Sequence, residues 1–117
     1  MLNKKQILAV QDIKTEEVFI PEWGDSVMVR GMTGNQRDEF EASIVEMRGK
    51  SQTVHLEMLR AKMCAMTLIG EDGRPLFDMD EAEELGRKCA PALQRIMEVA
   101  QRLSGLKETD LESLSKN

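Results

Sequence analysis

Apolar positions along the chain fall into two alternating segments and several helical stripes. Val18-Phe19-Ile20 and Val27-Met28-Val29 are separated by Pro21-Glu22-Trp23-Gly24-Asp25-Ser26, where Pro and Gly mark a turn. This pattern predicts a β-hairpin with Val18, Ile20, Val27 and Val29 on one face and Phe19 and Met28 on the other. Both faces carry apolar groups, so at least one needs a helix over it. Thr33-Gly34-Asn35-Gln36 has the capping-box form and predicts a helix start. Phe40, Ile44 and Met47 then recur at i, i+4 and i+7 against Asp38, Glu39 and Glu46, and Gly49 supplies a stop. After a Ser51 or Thr53 cap, Leu56, Leu59, Met63 and Met66 form a narrow seam on a second helix. The short polar link between the two suggests an antiparallel pair.

Glu71-Asp72-Gly73-Arg74-Pro75 is a strong turn signal flanked by Leu68-Ile69 and Leu76-Phe77, and fits either a short second hairpin or an ordered loop. Asp78 or Asp80 is placed to cap a helix running to Gly86, with Glu81, Glu83 and Glu84 in its first turns. Pro91 opens a further helix whose Leu93, Ile96, Met97, Ala100 and Leu103 form an apolar stripe, and Gly105 ends it. Residues 1–16 read as a short helix or a loosely held arm, and residues 107–117 as a frayed C-terminal helix. The expected fold class is therefore α+β, mainly helical: one domain over 1–117, with an N-terminal β-hairpin packed against a small bundle of about four helices.

Length supports this reading. A compact chain of 117 residues exposes roughly 6,400 Å² against about 19,000 Å² unfolded, enough burial for a core without disulfides or metal. The formal charge of -5 is concentrated. Residues 71–84 hold seven acids and one Arg, a net of -6, so the rest sums to +1. With no basic cluster, the balance argues against phosphate-backbone binding as the main activity. No apolar run is long enough for a membrane span or a signal peptide, so a cytoplasmic protein is expected. Cys64 and Cys89 have no C-x-x-C spacing and read as buried reduced thiols. Aromatics are scarce and Met is abundant at nine, which predicts an adaptable core or an adaptable contact surface.

No catalytic, cofactor or metal constellation emerges. Gly49-Lys50-Ser51 has the ending of a phosphate-binding loop, but Ile44 stands where the first Gly belongs and a helix precedes it. Asp78-Met79-Asp80 starts like a calcium loop, yet Ala82 and Glu83 occupy the next ligand and turn-Gly positions. The acidic segment reads better as capping and dipole-compensating carboxylates, or as a docking patch for a basic partner. His55 is the only histidine, with no second ligand or nucleophile beside it, and reads as a helix-surface residue. Trp23 fits either a plug closing the hairpin against a helix or a partner contact. Met47, Met63, Met66 and Met97 fall on apolar stripes. Met28, Met32, Met58 and Met79 are less clearly inside, and if exposed together they would make a soft binding surface. The partner-binding set is Trp23, Met28, Met32, Met58, Met79, Glu71 and Glu84.

The run Ile7-Leu8-Ala9, Asp12-Ile13-Lys14-Thr15-Glu16, Pro21-Glu22-Trp23-Gly24, Val27, Val29-Arg30, Thr33-Gly34 and Arg37-Asp38-Glu39-Phe40-Glu41 resembles the opening of tail assembly chaperones of long-tailed, lambda-like bacteriophages. Gly73-Arg74-Pro75-Leu76-Phe77, Leu85-Gly86, Leu93-Gln94-Arg95 and Gln101-Arg102-Leu103-Ser104-Gly105-Leu106 resemble the second half of the same proteins. The chain departs from that pattern at Asp25, where a second Gly is expected, at Cys89, where a small polar cap such as Ser is usual, and at Pro91, where Ala is common.

The resemblance implies a non-enzymatic protein of the host cytoplasm, absent from the mature virion, that holds the tape measure protein soluble while tail tube subunits polymerise around it. It also implies a longer product, made by ribosomal frameshifting, that recruits tail tube protein, the present chain being the shorter one. No cofactor, nucleic acid or membrane is implied, and a homo-oligomer is compatible. The rival readings are a structural head-tail joining or tail-end protein and a small DNA-binding regulator, the latter disfavoured by the acidic balance.

Overall fold

The computed structural model describes residues 1–48, 51–54 and 58–107, with the backbone alone over 45–48 and 51–54. Helix α1 (Lys4–Ala9) leads into strands β1 (Thr15–Ile20) and β2 (Asp25–Arg30), then helix α2 (Gly34–Ile44) and strands β3 (Val45–Arg48) and β4 (Ser51–Val54). Helix α3 (Leu59–Thr67), strand β5 (Leu68–Ile69), a 3-10 turn (Met79–Glu81), helix α4 (Ala82–Leu85) and helix α5 (Ala90–Leu103) complete the chain as described. The architecture is the α+β class read from the sequence.

β1 and β2 form the expected hairpin, antiparallel with Val18 opposite Val27 and Glu16 opposite Val29. Ile20 and Val29 are fully buried and Val18 and Val27 rest on the core, whereas Phe19 faces outward. The strand period of two therefore assigns the faces as predicted. The turn closes with the Gly24 N–H donating to the Ile20 carbonyl at 3.0 Å, at a φ of 72° that glycine takes without steric cost. α5 packs on both strands. Two ion pairs fix it there, Arg95 to Glu22 at 3.0 Å and Arg102 to Glu16 at 2.8 Å.

The segment after α3 resolves the two readings of residues 68–77. β5 pairs antiparallel with β2, Met28 opposite Ile69 and Val29 opposite Leu68, giving a sheet ordered β1-β2-β5. On its other side Ile69 bridges Pro75, and the Leu76 N–H donates to the Leu68 carbonyl at 3.0 Å. The Asp-Gly turn thus doubles back beside a strand that also extends the N-terminal hairpin.

α2 starts with the predicted reciprocal cap. The Gln36 N–H reaches Thr33 Oγ1 at 3.1 Å and the Thr33 N–H reaches Gln36 Oε1 at 2.9 Å. Phe40 and Ile44 are buried, but the helix ends at Ile44 and does not continue to Gly49. Residues 45–48 instead pair with 51–54, Val45 opposite Val54. This corrects three expectations: Met47 leaves the helical stripe, and Ser51 and Thr53 are strand residues rather than helix caps. Val45 and Met47 alternate with Glu46 and Arg48, so a period of two fits this stretch as well as the helical spacing. His55 and Leu56 lie outside the described residues. Lys62 on α3 donates to the Ser43 carbonyl at 2.7 Å, placing a cation at the electronegative end of α2.

α3 is the centre of the core, with Ala61, Met63, Cys64, Ala65, Met66 and Thr67 all buried. The predicted stripe of α5 meets it: Leu93, Ile96, Met97 and Ala100 are buried and Leu103 partly so. Pro91 sits in the first turn of α5, whose N–H groups have no helical partner in any case. At the other end the Leu106 N–H donates to the Gln101 carbonyl at 2.9 Å and the Gly105 N–H to Arg102 at 3.3 Å, the Schellman pattern. Asp78 precedes the 3-10 turn, its N–H held by Glu81 Oε1 at 2.8 Å, so part of the acidic segment does serve as a helix start. α1 is capped reciprocally by Asn3 and Gln6, each bond 2.9 Å, and buries no residue.

Candidate functional site

Among the described residues, no group of three or more His, Cys, Asp or Glu is placed to hold a metal ion. No helix among them is long and apolar enough to cross a membrane. The two thiols separate sharply. Cys64 lies between α3 and α5 with its Sγ 3.5 Å from the Leu93 carbonyl, and burial pushes its thiol up to about 12. Cys89 is exposed, which corrects the expectation that both are buried. It occupies the N-cap of α5, where a helix start meets solvent rather than the core.

The surface carries more information. Phe19 is 60% exposed in mid-strand, and Trp23 is exposed at the hairpin tip. Trp23 keeps 37% of its surface exposed. The neighbouring Glu22 ties the tip down, its two carboxylate oxygens accepting from Arg95 Nε and Nη2 at 3.0 to 3.3 Å. The Arg95 guanidinium holds the Glu22 carboxyl below its ordinary value. By register and strand alternation, Phe19, Met28 and Ile69 share one face of the sheet, on which Phe19 is exposed, Met28 half-buried and Ile69 buried.

The other methionines of the predicted set do not join that face. Met32 is buried, its N–H donating to Ser104 Oγ at 2.9 Å. Met58 and Met79 are half-buried against the core. Glu71 and Glu84 are exposed. Met79 lines an open cavity of about 190 Å³ with Ala65, Met66 and Phe77, rimmed by Glu39 and Asp78.

Sequence reasoning left out two sets of exposed apolar residues. One is Phe19, whose alternation with buried Val18 and Ile20 contained the signal. The other is Leu2, Ile7, Leu8 and Val10 around α1, all at least 49% exposed. The surface thus offers apolar side chains on an ordered scaffold.

No curated protein matches the chain. The solved structure of the bacteriophage HK97 tail assembly chaperone superposes with a TM-score of 0.60 at 21% identity, covering 85% of this chain and 94% of that one. This likeness shows a shared fold. The family model described as phage tail assembly chaperone matches residues 3–117. With a match running over nearly its whole length, the chain belongs to the phage tail assembly chaperone family.

Proposed function

We propose that this chaperone binds the tape measure protein and shields its apolar helical stripes while tail tube subunits assemble around it. The carrying observation is the hairpin. The chain has three Phe and one Trp, and two of these four aromatics, Phe19 and Trp23, are left exposed. Burying such a side chain contributes about 1.5–3 kcal/mol, so a core that leaves both outside forgoes stabilisation that a partner can recover. Met28 on the same sheet face as Phe19 adds a flexible, polarisable contact that adapts to varied stripes. Met58 and Met79 supply smaller contacts, and the buried Met32 is left out of the contact surface. Glu71 and Glu84 keep the complex soluble. The reading places the protein in the host cytoplasm during assembly and outside the finished virion, with a frameshifted longer product bringing tail tube protein.

The test is co-expression with the tape measure protein. Wild type is expected to keep it in the soluble fraction, and a Phe19→Ser, Trp23→Ser variant to lose most of that effect while remaining folded, since neither side chain is buried. Equal solubility of the tape measure protein without this chain overturns the proposal. Mass spectrometry of purified particles separates the structural alternative, in which the chain would be found in virions.

A further inference from the structure

We infer that the free edge of β1 is a strand-addition site for an extended segment of another protein, one that sets an aromatic or β-branched residue opposite Phe19 and a Lys or Arg opposite Glu17. β1 is the outer strand of the sheet ordered β1-β2-β5. One contact fixes the phase of its hydrogen bonds. The Gly31 N–H donates to the Lys14 carbonyl at 2.9 Å, and this pair continues the register in which Thr15 faces Arg30 and Glu16 faces Val29. Bonded and non-bonded pairs alternate along an antiparallel ladder, so Glu16, Val18 and Ile20 turn their N–H and C=O groups toward β2. Thr15, Glu17 and Phe19 turn theirs to the free edge. The far side of β2 agrees, since Met28, opposite Glu17, is the residue that pairs with Ile69 of β5. Among the described residues, no backbone group outside the hairpin bonds to Thr15, Glu17 or Phe19.

The usual devices that blunt a sheet edge are missing from this strand. Its register runs from Thr15 to Ile20 without a bulge, and the segment contains neither Pro nor Lys. The strand is also held in place, Arg102 binding Glu16 at 2.8 Å and Arg95 binding Glu22 at 3.0 Å, so its donors and acceptors are positioned before a partner arrives. Thr15, Glu17 and Phe19 are all exposed and, at alternate positions, share one face. Glu17 makes no ion pair among the described residues. That charge selects the occupant, because opposite charges across a strand pair stabilise it and like charges destabilise it. β1 of a second copy, paired antiparallel about its middle, would set Glu17 against Glu17. A foreign strand with a cation at that place gains instead. A helix bonds its own N–H and C=O groups internally and has no use for the edge, so this site is independent of the helix-binding reading above.

The probe is a cyclised hairpin peptide with Tyr-Val-Lys-Thr-Thr on its free edge. Running antiparallel, it sets Tyr opposite Phe19, Lys opposite Glu17 and the last Thr opposite Thr15. Amide hydrogen exchange followed by NMR is expected to slow at least about tenfold at Thr15, Glu17 and Phe19 on saturation, and to change less at Glu16 and Val18, which are bonded already. Glu17→Pro removes a donor from the free edge and none from the hairpin ladder, and should weaken the probe about tenfold; circular dichroism checks that the fold is kept. Glu17→Lys should lose the probe by a similar factor and gain the version with Glu in place of Lys. Both variants should still keep the tape measure protein soluble, so this inference and the helix-binding reading fail separately. Unchanged exchange at Thr15, Glu17 and Phe19 overturns the inference, as does a Glu17→Pro protein that binds like wild type or a Glu17→Lys protein with unaltered preference. Concentration-dependent protection of the same three amides without the probe gives the edge to a second copy and overturns it as well.

Discussion

Gly31→Ala is expected to destabilise this protein markedly, and the geometry sets the size of the effect. Gly31 is the first residue beyond β2, where the chain passes under the end of α5. Its N–H donates to the Lys14 carbonyl at 2.9 Å, and the next N–H, of Met32, is held by Ser104 Oγ at 2.9 Å. A Cβ at position 31 would lie 2.6 Å from the Leu103 carbonyl oxygen and 3.0 Å from its carbon. Ordinary contact begins near 3.4 Å, so backbone must retreat by about 0.8 Å. The end of α5 has little freedom to do so, being fixed by the Schellman turn at Gly105 and the Arg102 to Glu16 pair. Overpacking against backbone costs about 1–3 kcal/mol. With an unfolding entropy of about 2.1 cal/mol/K per residue, each kcal/mol is worth about 4 °C here, giving a fall in Tm of about 4–12 °C. Gly34→Ala is the internal control. A Cβ there meets nothing within 4 Å, and its φ is not positive, so the same substitution should stabilise by about 0.4–1 kcal/mol through the unfolded chain. Thermal and urea denaturation followed by circular dichroism measures both. A Gly31→Ala protein melting at or above wild type refutes the reasoning.

Thr33→Ala removes the side-chain half of the α2 cap and should cost about 1 kcal/mol in urea denaturation, with Thr33→Ser restoring most of it; no loss in the Ala variant would show that the cap does not hold the helix start. A thiol reagent under native conditions should titrate Cys89 promptly and Cys64 only after unfolding, since burial raises the Cys64 thiol to about 12; two thiols of equal reactivity would contradict the packing of α3 on α5. The Glu22 carboxyl is held below its ordinary 4.5 by Arg95, so its contribution is present above that pH and lost as pH falls through the lower folded value. The stability gap between wild type and Glu22→Gln should therefore shrink as pH drops below 4.5, and a gap independent of pH would mean the hairpin tip is not held by that pair.

What the sequence determined alone is local. The Thr33 to Gln36 box, the α5 stripe and its Gly105 stop, and the two faces of the first hairpin each rest on bonds or spacings within a few residues. The family pattern in the residues likewise matched over nearly the whole chain. Tertiary structure decided what depends on competition between distant segments. Residues 45–48 suit helix and strand alike, and pairing with 51–54 settles them as strand. Leu68 and Ile69 become sheet because β2 offers a free edge. The hairpin tip is fastened by a carboxylate 73 residues from its arginine, a pairing that no local pattern announces. Cys89, Met32, Phe19 and the α1 residues could not be assigned to inside or outside from hydrophobicity, because burial depends on whether the folded chain has a surface left to cover them. For Met32 it does, and for the arm and Phe19 it does not.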